Sequence, residues 1–341
     1  MTLTCVAEGQ LGVITLDRPN ALHALNLSMI EALITQLILW QHEPSIRAVL
    51  IQAAPSKAFC AGGDIRWIYD QRGHLSTQMN FFEREYHLNQ LIHDYPKPYI
   101  ALMDGLTMGG GVGIALHGSH PVASERFVFA MPETTIGFFP DIGGSYLLSR
   151  CPGYFGVYLG LTGDRLSPID AYGLGLVKAR VLSDNFPRLL TLLKSADLSD
   201  DAFQAVDTCL KKMAQPEEES PWLSRKPTID ACFGLATLEG IHEALLVTNQ
   251  EWCYSIRTNL MKKSPLSLKV TLQQLRLART LDLDLCLQMD RSLVGHFLQD
   301  HDFYEGVRAL VVDKDQQPKW QPADWEAVTS ARVEHYFSSA L

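Results

Sequence analysis

The chain has 341 residues, 47% hydrophobic and 20% charged, the profile of an ordinary soluble globular protein with room for one large domain or a domain with an extension. Its formal net charge of −9, with no basic stripe, excludes a general nucleic-acid binder, because phosphate repulsion goes uncompensated. Seven cysteines, odd in number and never in a CxxC pair, suit reduced thiols and offer no zinc framework. His117 with His120, and His296 with His301, are the nearest metal-like pairs; neither has an adjacent carboxylate pattern, so no metal is expected. No apolar run reaches the length of a membrane span, and the opening MTLTCVAEGQLGVITLDRP lacks a charged leader and a long apolar segment. The expectation is a cytoplasmic protein with no membrane partner.

In chain order, the opening residues read as strand, and Leu11–Leu16 is a β-branched apolar strand that ends at Asp17-Arg18-Pro19. Residues 26–42 carry Leu27, Ile30, Leu33, Ile34, Leu37 and Ile38 at helical spacing. Ala48–Ala53 is a second strand. Lys57–Ile65 (KAFCAGGDI) is a turn with two glycines and a helix start at Asp64. A helix over 77–93 carries Phe82, Glu85, Tyr86 and Asn89, and stops before Pro96. Residues 98–103 form a buried strand, and Gly109-Gly110-Gly111 then leads into a helix over 112–116. Alternating strands and helices, each strand closing on a glycine-bearing turn, predict an α/β fold. After Gly144 the spacing predicts helices over 154–161 and 167–174 and one last strand over 177–182. Residues 184–219 read as polar and irregular, with an exposed loop at 215–221. Beyond Pro227 helices are expected over 238–248, 250–261, 265–281 and 283–298. The domain reading is a core over 1–220 and a helical C-terminal region over 221–341.

The stretch from Asp104 to Gly144 concentrates the chemistry. Glycine lets a backbone approach a ligand closely, and a helix start offers N–H groups with partial positive charge. Such a turn stabilises a developing anion. A dinucleotide fingerprint fails here, because Ile114 stands where its third glycine belongs. Two carboxylates follow in an otherwise apolar run, Glu133 in MPET and Asp141 in FPDIGG. Their structural alternatives are a turn residue for Glu133 and an N-cap of a helix over 143–149 for Asp141.

With KAFCAGGDI, MDGLTMGGGVGIAL and MPETTIGFFPDIGG read together, the chain resembles the crotonase (enoyl-CoA hydratase/isomerase) superfamily. Within it, SPLSLKVTLQQL, DFYEGVRALVVDKDQQPKW and PADWEAV resemble the tail of the 3-hydroxyisobutyryl-CoA hydrolase branch. The resemblance covers nearly the whole chain. It implies a spiral of ββα units with a helical C-terminal region, and an acyl-CoA thioester substrate whose CoA is the only cofactor-like group. It also implies a homo-oligomer, a trimer as is usual in the superfamily, unless the tail folds back on its own core. By motif position the N–H groups of Gly63 and Gly110 would form the oxyanion hole. Lys57, Ala58, Ala61, Asp64 and Ile65 would line the CoA path, and Glu85 would reach the substrate pocket. For Lys57 the alternative is a solvated surface lysine, and for Glu85 an exposed helical carboxylate paired with Arg84.

The hydratases resemble GGGCE where this chain has GGGVG, so Gly113 replaces one of their two catalytic acids. Asp141 stands where they carry glycine, eight residues after Glu133. The resemblance therefore implies thioester hydrolysis, with Glu133 as nucleophile or as general base and Asp141 holding a substrate hydroxyl or a water. An enoyl-CoA hydratase or isomerase, and a non-catalytic acyl-CoA binding protein, are the competing readings.

Overall fold

The computed structural model describes residues 2–248 and 250–338. Two compact units emerge, each built from three separate segments. The first comprises Met1–Gly63, Arg84–Phe129 and Leu166–Leu223; the second comprises Asp64–Glu83, Ala130–Arg165 and Ser224–Leu341.

The first unit is organised by strands β1 (Leu3–Glu8), β2 (Leu11–Leu16), β3 (Ala48–Ala53), β4 (Ala58–Cys60), β5 (Tyr99–Met103), β6 (Leu106–Met108), β7 (His120–Ala123), β8 (Val128–Ala130) and β9 (Ala179–Arg180). They form a six-stranded sheet in the order β1-β2-β3-β5-β7-β9 and a small sheet in the order β4-β6-β8. The β1–β2 pair is antiparallel, and the pairs β2–β3, β3–β5, β5–β7 and β7–β9 are parallel. Each of β3, β5 and β7 is thus followed by a short strand of the small sheet before the chain moves on. That alternation is the spiral of ββα units.

Period-2 alternation decides which side chains face which layer. Leu11, Val13, Ala48, Leu50, Ile100, Leu102 and Val122 point to one core. Gly12, on the other face of β2, receives the Trp40 ring of the helix Leu27–His42, where a Cβ would lie 2.6 Å from the indole.

The core of Leu11 and its neighbours is closed by two helices in the region read from sequence as polar and irregular. They are Phe186–Ser195 and Ala202–Met213, and they bury Leu189, Leu193, Val206 and Leu210. Fully burying such a side chain is worth roughly 1.5–3 kcal/mol. Four of them fix these helices despite polar outer faces, which is why composition alone misled.

The second unit is almost entirely helical. Its tail contains, among others, Lys226–Phe233, Leu238–Val247, Glu251–Leu260, Pro265–Leu277, Leu283–Phe297 and Asp302–Val307. Ser264 caps the helix that Pro265 opens, its Oγ accepting from Ser267 N at 3.1 Å.

Candidate active site

In the first unit, β6 ends at Met108, and Gly109, with φ +47°, turns the chain into the helix Gly110–Leu116. Gly110 is the first helical residue, so its N–H has no intrahelical acceptor. On the facing turn β4 ends at Cys60, and Gly62, with φ +110°, precedes Gly63. The two turns meet backbone to backbone. A Cβ on Gly110 would lie 3.2 Å from Gly63 N and 2.2 Å from Glu85 Oε1; one on Gly111 would lie 2.2 Å from the Cys60 carbonyl oxygen. Glycine is required at 111, a Cβ at 110 would displace the Glu85 carboxylate, and the amides of Gly63 and Gly110 stand beside one another.

Glu85 is 2% exposed and places a carboxylate oxygen against Gly110. Its neighbour Arg84 turns instead to Glu31, with Nε–Oε1 at 2.6 Å and Nη2–Oε2 at 2.9 Å. Burial pushes the Cys60 thiol up to about 12, and the charge of Glu85 adds to the effect, so this thiol stays protonated and inert. One turn after Glu85, Asn89 is fully buried, and among the described residues its carboxamide has no hydrogen-bond partner. A Cβ on Gly113 would lie 2.6 Å from Asn89 Nδ2. A side chain at position 113 would require the Asn89 carboxamide to shift.

Of the residues expected along the CoA path, Lys57 has an exposed side chain, and its carbonyl accepts from Leu106 N at 3.1 Å. Ala58 is buried in β4, and Ala61 N donates to the Leu22 carbonyl at 3.0 Å. Asp64 and Ile65 belong to the second unit. There Asp64 is the N-cap of the helix Ile65–Asp70, its Oδ1 accepting from Trp67 N at 3.2 Å.

The second unit carries both acids. Glu133, 7% exposed, opens a single 3-10 turn, Glu133–Ile136, that Gly137 closes in the left-handed region. Its carbonyl accepts from Phe138 N at 3.0 Å. Asp141 is 6% exposed and is followed by Ile142 and Gly143 at φ +57° and +68°. The N-cap position of the helix Gly144–Ser149 is Gly143, two residues after Asp141, with no side-chain cap bond.

The tail fastens this acid segment at several points. Ser267 Oγ donates to the Phe138 carbonyl at 2.5 Å, and Gln274 Nε2 to the Pro140 carbonyl at 2.9 Å. Asp290 accepts from Gly143 N and from Gln274 Nε2, each at 2.8 Å. The Phe138 ring packs against Phe297 and Phe303 at centroid distances of 5.5 and 5.2 Å. The helix Asp302–Val307 lies directly on the Glu133 turn. A Cβ on Gly137 would lie 2.2 Å from the Asp302 carbonyl oxygen, and one on Gly306 would lie 2.3 Å from the Ile136 carbonyl group. Burial pushes the Asp290 carboxyl well above the usual carboxylate range, with the nearby Asp141 charge adding to it, while the Gly143 N–H and Gln274 pull the other way.

Asn89, Lys263, Gln274 and Asp290 were not singled out from sequence. Asp290 left a signal: it sits in the apolar stripe of Cys286, Leu287, Leu293 and Val294, where a carboxylate needs a buried partner. Among the described residues no group of three or more His, Cys, Asp or Glu side chains is placed to hold a metal ion.

The sequence matches the enoyl-CoA hydratase/isomerase family over residues 11–337. It is 42% identical to the 3-hydroxyisobutyryl-CoA hydrolase, mitochondrial, of Danio rerio, covering 97% of this chain and 88% of that protein. To the human protein of the same name it is 40% identical, over 97% and 87%. Among solved structures, a carnitinyl-CoA dehydratase from Mycobacterium thermoresistibile superposes with a TM-score of 0.92 at 36% identity, over 99% of this chain and 96% of that one. An enoyl-CoA hydratase from Rhodobacter sphaeroides gives 0.90 at 33%, over 99% and 97%. The chain belongs to the enoyl-CoA hydratase/isomerase family, the crotonase superfamily.

Proposed function

We propose that the protein is a 3-hydroxyisobutyryl-CoA hydrolase, a thioesterase of valine breakdown that releases free CoA and 3-hydroxyisobutyrate. The relatives at 40–42% identity over nearly the full chain support this substrate. The observation that carries the chemistry is position 113. Glycine stands there, Asn89 fills the space beyond it, and the second acid of the chain is Asp141. A hydratase acid at 113 would have to displace the buried Asn89 carboxamide.

In this reading the thioester carbonyl carbon is attacked either by the Glu133 carboxylate, giving a mixed anhydride that water then opens, or by a water whose proton Glu133 takes. The carbonyl oxygen gains charge against the Gly63 and Gly110 amides, each such donor being worth roughly 3 kcal/mol. The C–S bond then breaks, and the CoA sulfur leaves and takes up a proton. Asp141 holds the 3-hydroxyl or the water, Glu85 reaches the acyl pocket, and Lys57, Ala58, Ala61, Asp64 and Ile65 line the CoA path.

A panel of acyl-CoA substrates, scored separately for thiol release and for loss of enoyl absorbance, tests the assignment. Thiol release from 3-hydroxyisobutyryl-CoA is expected, and Glu133→Gln should abolish it while leaving the urea midpoint near wild type. Isobutyryl-CoA should be poorer by as much as ~10⁴-fold, because it leaves a buried polar group unpaired. Enoyl loss without thiol release would turn the assignment to a hydratase; binding with neither would make the protein an acyl-CoA carrier. Free thiols at all seven cysteines favour a reducing compartment, the cytoplasm in this proposal, which cell fractionation checks. The tail fastens residues 138–143 of its own chain, the case set against the superfamily's trimer, and sedimentation velocity decides between a monomer and a homotrimer.

A further inference from the structure

Lys263 immediately precedes the Ser264 cap and is 2% exposed, a buried ammonium that the mechanism above does not use. Its Nζ donates to Thr135 Oγ1 at 2.5 Å, and Thr135 lies in the single turn that Glu133 opens. Nζ also sits 3.5 Å from the point a Cβ on Gly163 would occupy, next to Asp164. Burial pushes this ammonium down to about 8, and the carboxylates of Asp164 and Glu133 act against that fall. The Glu133 turn brings Glu133 and Thr135 to it; the loop after the helix Phe155–Thr162 brings Asp164. That carboxylate already accepts from the Tyr158 hydroxyl, and the Arg225 charge also acts on Tyr158. On its own segment, the neighbouring Lys262 is exposed; its N–H donates to the Asn259 carbonyl at 3.1 Å and its carbonyl accepts from Trp320 Nε1 at 2.9 Å.

A hydroxyl alone does not compensate the desolvation of a buried ammonium; carboxylates within range do. Both carboxylates hold the ammonium, Asp164 first and Glu133 second, and the lysine charge in turn favours the ionised form of each. Burial by itself would drive Glu133 towards its neutral form, in which it is neither nucleophile nor base. We propose that Lys263 is a positioning residue that keeps Glu133 ionised through its charge and holds the Glu133 turn through Thr135. The inference rests on the reading of Glu133 as the reacting carboxylate.

The test is the pH dependence of kcat and kcat/KM for thiol release from 3-hydroxyisobutyryl-CoA, for wild type and for Lys263→Met, Lys263→Gln, Lys263→Arg, Thr135→Val and Glu133→Gln. Removing a cation disfavours the charged acid, so the acid limb moves to higher pH. Lys263→Met should shift it upward by at least one pH unit, with activity recovering above it. Lys263→Gln keeps a donor for Thr135 without the charge and should shift it equally. Lys263→Arg should restore the limb, and Thr135→Val should lower kcat without moving it. A neutral variant whose activity falls by one factor at every pH, its limb in place, overturns the proposal. Neutral variants that fail to fold while Lys263→Arg turns over normally overturn it too, because the lysine is then a stability residue. Wild-type turnover in Glu133→Gln strikes instead at the reading of Glu133, and the two failures are told apart by which variant keeps its rate.

Discussion

At the scale of single residues, His120 shows how burial overrides a favourable neighbour. The ring is fully buried, with Nδ1 2.7 Å from Ser119 Oγ and Nε2 3.3 Å from Asp207 Oδ1. Burial, then the Lys178 charge, push it down to about 4 although Asp207 pulls upward. The folded value lies below the unfolded one near 6.5, so the stabilisation is complete above 6.5 and is lost as the pH falls towards 4. At about 1.4 kcal/mol per unit this amounts to at most ~3.5 kcal/mol. Urea midpoints at pH 7.5 and 4.5 should fall further apart in wild type than in His120→Gln; equal gaps would show that the imidazole is not responsible. The glycine turns were legible at this scale because the constraint marks the residue itself: Gly62 and Gly109 carry positive φ, and Gly111 meets a carbonyl. Lys263 and Asp290 were not, because what makes them matter lies more than a hundred residues away in the chain.

Between elements, the decisive contact is the helix Asp302–Val307 on the Glu133 turn. Asp302 is its anchor, accepting from Ser264 Oγ at 2.5 Å and from Gln321 N at 2.8 Å. Gly306 lets the helix lie against the Ile136 backbone, and that backbone cannot yield without moving Glu133. Gly306→Ala should therefore cost about 1–3 kcal/mol of stability. It should also lower kcat at least tenfold with KM little changed, since Glu133 is displaced but the first unit is untouched. Steady-state kinetics beside urea unfolding checks this, and an alanine variant with full kcat would release the turn from the helix. Sequence periodicity located most helices of the tail to within a few residues, and Ser264-Pro265 set one start outright. It could not say that these helices would close over an acid segment, since apolar spacing shows that a face is buried and not what buries it.

For the whole molecule, the two units are interleaved along the chain, each taking three of six alternating segments. A chain ended at Ser220 keeps every segment of the first unit but for its last three residues, and loses all of the tail. It should show no thioesterase activity even where it stays soluble; turnover by a soluble fragment at the full-length rate would mean the clamps are dispensable. The same interleaving has a consequence for synthesis. Asp290 follows Gly143 by 147 residues, so at ~5–20 residues per second a nascent chain waits roughly 7–30 s between making the acid segment and making the residue that fastens it. For that interval Phe138 and Phe139 have no aromatic partners from the tail, and the segment that the tail later fastens is an exposed apolar stretch. Ribosome-bound chains stalled before residue 264 should accordingly be those on which general chaperones accumulate.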